Sequence, residues 1–78
     1  MADFHIRGYV RHKGPSEYVA TVSAIPSTGG SPHSWDVIER TLPDTASAQE
    51  AMRKLTVELG SKLRARGETV LTVETHDL

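Results

Sequence analysis

The chain has 78 residues, with 9 Lys and Arg against 10 Asp and Glu, and no cysteine. A chain this short forms one small domain, residues 1–78, which buries only about 60–65% of its unfolded surface, so contact with a partner would add to a marginal core. The near-zero net charge excludes a strongly basic nucleic-acid binder, the lack of cysteine excludes disulfides and thiolate chemistry, and no apolar run reaches the roughly 20 residues of a membrane span.

Residues 3–12 alternate, with Phe4, Ile6, Gly8 and Val10 on one side and His5, Arg7, Tyr9 and Arg11 on the other. That period of two predicts a half-buried strand. Lys13, Gly14, Pro15 and Ser16 form a turn cluster. A second strand follows over residues 18–25, its inner face Ala20, Val22 and Ala24, and the two strands are expected to form an antiparallel hairpin. Residues 26–34, PSTGGSPHS, have the Pro, Gly and Ser content of a flexible connection. Residues 35–42 predict a third strand, but Trp35 with Val37 on one side and Ile38 with Leu42 on the other are both partly apolar, so either side could meet the core.

The only long helical pattern lies between Ser47 and Gly67. Ser47 and Glu50 have the spacing of a capping box, which places the helix start at Ser47. Ala48, Ala51, Met52, Leu55, Leu59 and Leu63 recur at steps of three and four, one apolar stripe that must be buried. Opposite it, Glu50 with Lys54 and Glu58 with Lys62 are i,i+4 pairs. Lys62, Arg64 and Arg66 complement the helix dipole at its C-terminus, and Gly67 suits a left-handed closing residue. Gly60, beside the stripe, predicts a close approach to the sheet. Residues 68–75 supply a fourth strand, with Leu71 and Val73 as its inner pair.

The element order is βββαβ. Three meandering strands followed by a right-handed helical crossover predict an α+β fold: a four-stranded mixed sheet of order 3-2-1-4 with one helix on one face. The other face is left for solvent or a partner.

The run Tyr18, Val19, Ala20, Thr21, Val22 followed by Pro26, with Asp44-Thr45 and Glu50-Ala51 opening a helix, resembles the HicB-type antitoxin domain, a partial RNase H-like fold of the same element order. The resemblance implies a protein partner of the toxin kind. The DNA-binding segment usual in that family has no counterpart here, so a DNA-binding role is not implied.

Chemistry finds little purchase. RNase H-type catalysis needs converging carboxylates, and Asp3, Asp36 and Glu39 are scattered. His5, His12, His33 and His76 show no metal-ligand spacing, and Gly29-Gly30-Ser31 lacks the Lys and helix of a phosphate loop. No nucleophile motif flanks any Ser, so no enzyme activity, metal or cofactor is expected. The candidate binding residues are His5, Arg7, Tyr9 and Arg11 on the uncovered face, joined by Trp35 if the third strand turns that side outward. Arg and aromatic side chains together are enriched at protein interfaces and also serve single-stranded RNA or DNA, where phosphates meet Arg and bases stack on Tyr. The reading that follows is a small, non-enzymatic, cytoplasmic binding domain that engages a protein partner or its own copy through the open face or an edge strand, with single-stranded nucleic acid as the alternative ligand.

Overall fold

In the computed structural model, which describes residues 2–29 and 37–78, the alternating N-terminal segment forms β1 (Asp3–Gly14) and the Val- and Thr-rich segment after it forms β2 (Glu17–Pro26). Pro15 and Ser16 make the tight turn between them, and Ser16 takes a left-handed φ of 56° to close it. β3 (Val37–Leu42), α1 (Thr45–Ala65) and β4 (Thr69–His76) complete the order βββαβ. The sheet order is β3-β2-β1-β4, with β1 antiparallel to β2, β2 antiparallel to β3, and β4 parallel to β1. The predicted α+β fold with one helix on one face of a mixed sheet is the fold of this chain.

One apolar layer joins the helix to the sheet. The predicted stripe of Ala48, Ala51, Met52, Leu55, Leu59 and Leu63 is buried throughout, against Phe4, Ile6 and Val10 of β1 and Ala20, Val22 and Ala24 of β2. Burying a side chain of the Leu or Ile class contributes about 1.5–3 kcal/mol, so this stripe is what holds α1 on the sheet. Within β1 the position beneath Met52 carries no side chain for a reason. A Cβ added at Gly8 would lie 2.8 Å from Met52 Sδ and 3.0 Å from Thr56 Cγ2, so the helix rests directly on the β1 backbone there. Gly60 also faces the sheet, its missing Cβ 3.6 Å from Ile6 Cδ1 and 3.3 Å from Arg64 Nη1, so alanine there would need the end of the Arg64 side chain to move slightly.

The helix begins two residues before the predicted Ser47. Its N-cap is Asp44, in extended conformation, whose Oδ1 accepts from the Ser47 backbone N–H at 2.7 Å. A carboxylate one position after Pro43 is the stronger acceptor and claims the amide that the capping box needed. The bond also draws the Asp44 pKa below its ordinary 3.8. The C-terminus follows expectation: Gly67 has φ 81°, Gly67 N–H donates to Arg64 O, and Glu68 N–H donates to Leu63 O at 3.0 Å, the paired bonds of a Schellman motif. Of the two predicted i,i+4 pairs, Glu50–Lys54 forms at 3.2 Å. Glu58 and Lys62 make no ion pair among the described residues.

β3 turns Ile38 and Leu42 to the core, opposite Val22 and Tyr18, so Val37 lies on the open side. In β4 the expected inner pair is corrected. The register with β1 slips between Phe4 and His5, so that Leu71 is an extra residue in the ladder, a bulge that stands 48% exposed. Val70 is the residue that packs on the core. Val73 sits on the helix side but is 52% exposed, because β4 is an edge strand beyond the reach of the buried stripe. Of the predicted connection, Ser27 N–H donates to Asp3 O and Gly29 N–H to Pro26 O. The remainder, residues 30–34, lies outside the described residues, as do the first two residues of the predicted third strand, Trp35 and Asp36.

Candidate functional site

The face of the sheet away from α1 is built by alternation. β1 contributes His5, Arg7, Tyr9 and Arg11, while β2 contributes Val19, Thr21, Ser23 and Ile25 opposite them. β3 adds Val37, Glu39 and Thr41, and β4 adds Thr72, Glu74 and His76. The four β1 residues named from the sequence therefore do share one row on the uncovered face. Trp35 lies outside the described residues.

Neither arginine of that row stands alone. Arg7 Nε is 4.0 Å from Glu74 on the neighbouring β4, and Arg11 donates to Glu39 Oε2 at 3.3 Å. The second pair changes the shape of the face. β1 and β3 are separated by β2, about 9–10 Å apart at the usual strand spacing, so Arg11 and Glu39 meet only by arching over β2. Beneath that arch lie Val19, opposite Arg11, and Thr21, opposite Glu39, and they are 3% and 6% exposed respectively. The β2 part of the open face, where Val19 and Thr21 are buried, thus has this ion pair as part of its roof.

Thr21 under that roof has a cost. Its Oγ1 is buried and has no hydrogen-bond partner among the described residues, whereas the buried Thr56 on the helix donates its hydroxyl to Arg53 O at 2.6 Å. A buried hydroxyl left without a partner opposes folding by about 1–3 kcal/mol. Thr21 was not singled out from the sequence. The signal for it was a hydroxyl residue between Val19 and Val22 in a strand whose only other interior polar residue is Ser23, with Tyr9 opposite it.

The half of the face that remains open runs along β1 and β4. His5 Nδ1 and Thr72 Oγ1 share a hydrogen bond of 2.7 Å, His76 Nε2 lies 3.5 Å from Glu74, and Tyr9, opposite His76, is 37% exposed. Around the β4 edge, a groove of about 140 Å³ lies between α1 and β4, lined by Thr56, Val57, Gly60, Arg64 and Val73. The remaining histidines are dispersed: His12 stacks on Tyr18 with ring centroids 4.6 Å apart at the far end of the hairpin, and His33 lies outside the described residues. Among the described residues no three His, Asp or Glu side chains gather as a metal-binding group, and no helix is long and apolar enough to cross a membrane.

Comparison with protein-family models, with curated proteins and with solved structures finds no match to this chain.

Proposed function

We propose that this chain is a non-enzymatic binding domain that engages a protein partner through the open half of its sheet face, with Arg7 and Tyr9 at the centre of the contact. The observation that carries the reading is the exposed row of β1, bordered by Glu74 and His76 of β4, on a face that α1 leaves uncovered. Mixed charge around a half-exposed tyrosine is the make-up of a protein interface, where Tyr and Arg supply the anchors and opposite charges at the rim set orientation. A groove that tracks phosphates would need cations free of carboxylates. Here Arg7 and Arg11 each have one, which favours protein over nucleic acid. On the resemblance to HicB-type antitoxins, that partner would be a toxin protein, encoded next to this chain, and the setting would be cytoplasmic.

The test is amide-shift mapping of the labelled chain against the protein encoded by the adjacent gene. Shifts at His5, Arg7, Tyr9 and Arg11 are expected. Tyr9→Ala combined with Arg7→Ala should leave the melting temperature within a few degrees of wild type, since both side chains are exposed, while weakening the complex by at least about tenfold, as loss of central Tyr and Arg anchors does. Shifts confined to Lys54, Glu58 and Lys62 on the outer helix would overturn the reading. So would binding of a single-stranded RNA oligonucleotide that weakens steeply with salt, in favour of the nucleic-acid alternative.

A further inference from the structure

The two edges of the sheet differ in kind. β3 places Glu39 and Arg40 at its middle, the charges with which natural edges discourage pairing. β4 reads TVLTVETH, rich in β-branched residues and free of Lys and Pro; its own Val73 is 52% exposed and Val57 of the neighbouring helix is 69% exposed. Along such an edge, alternate backbone N–H and C=O groups point away from the sheet with no strand to receive them. We propose that β4 pairs antiparallel with β4 of a second copy of the chain, about a two-fold axis at Thr75, joining two four-stranded sheets into one of eight.

The register follows from the side chains. A two-fold axis normal to the sheet keeps both helices on the same side, so opposed residues must belong to the same face and the axis must pass through a residue. An axis at Val73 runs the ladder into the Leu71 bulge, where Val70 of the helix side would oppose His76 of the open side. An axis at Glu74 sets two carboxylates directly opposite each other, which is destabilising. An axis at Thr75 uses the regular stretch beyond the bulge and places Glu74 opposite the second copy's His76, twice by symmetry. It also sets Val73 opposite the second copy's Asp77. Asp77, one residue beyond β4, is already held by Arg53 of its own chain at 3.1 Å, so it brings no unpaired charge to the seam. On the open face a carboxylate thus meets an imidazole at both symmetric positions, and this self-complementarity identifies the occupant as a second copy rather than an arbitrary extended peptide. The two open half-faces along β1 and β4 would then lie side by side across the axis, giving one continuous surface twice the size.

Sedimentation equilibrium of the full chain tests this directly. The mass should rise with concentration from 8.5 kDa toward twice that value. His76→Glu places a carboxylate opposite Glu74 at both symmetric positions, and the dissociation constant should rise by about tenfold or more. Adding Glu74→Lys to that variant swaps the charges and should restore association. Lys54→Ala, on the outer face of α1 where Lys54 pairs with Glu50, should keep the wild-type dissociation constant, so a general loss of association and failure of the β4 edge are read separately. Thermal melts confirm that each variant is folded. A wild type that stays at the single-chain mass up to roughly 1 mM overturns the proposal, as does unchanged association in His76→Glu or a charge-swapped double variant that does not recover.

Discussion

At the scale of single residues, two polar side chains have opposite standing in this fold. Thr21 Oγ1 is buried without a partner beneath the Arg11–Glu39 arch. Replacing it by Val removes the unsatisfied group and keeps the shape, so Thr21→Val should stabilise the domain by about 1 kcal/mol in denaturant unfolding; a loss of stability would mean that the hydroxyl is satisfied in solution. Asp44, by contrast, is fully engaged as the helix cap. Its pKa is lowered by the Ser47 backbone and side-chain hydrogen bonds, so its contribution is complete above the ordinary carboxylate range and is lost as pH falls through the depressed folded value. Asp44→Ala should therefore lower the melting temperature at pH 7, and the gap to wild type should close as the pH is taken below about 4. A gap independent of pH would show that the carboxylate is not the capping group. The cap was misplaced from sequence because Asp44 and Ser47 both have capping chemistry three residues before a further polar position, and only the backbone conformation at Asp44 decides between them.

At the scale of elements, the contact between α1 and β1 depends on the absence of a side chain. Gly8→Ala would force Met52 and Thr56 away from the sheet, at about 1–3 kcal/mol as for other overpacked sites. Because Met52 holds the closest atom, Gly8→Ala should cost less in a Met52→Ala background than in the wild type, and a double-mutant cycle with no coupling would place the strain elsewhere. The buried stripe of α1 and the alternation of β1 and β2 were readable from sequence because period 3.6 and period 2 each leave a distinct pattern. β4 was readable only as a strand. Its inner pair depended on a bulge, and TVLTVETH carries apolar and β-branched residues on both faces, so nothing in the pattern reveals where one residue is skipped. The candidate row of β1 was legible for the same reason as the core, being its other face. That Arg7 and Arg11 are paired was not, since their partners Glu74 and Glu39 come from strands 67 and 28 positions away.

For the whole molecule, a single helix supplies the covering layer for four strands, and Leu59 lies at its buried centre. Leu59→Ala should cost about 2–5 kcal/mol, a large share of what a domain of this size has available. Loss of the cooperative thermal transition is the expected result, and a melt within a few degrees of wild type would contradict the packing. β1 has two neighbours of very different origin. Its antiparallel partner arrives directly after a tight turn, while its parallel partner pairs Asp3 with Thr69. During synthesis, then, the central strand emerges first and must wait with one flank bare until the segment containing β4 has cleared the ribosome. The hairpin can form early, but the sheet closes only as a late event. Folding should be slow for so short a chain because its decisive contact is among its most distant, and a nascent chain stopped before Thr69 would offer the β1 edge to whatever strand it meets first.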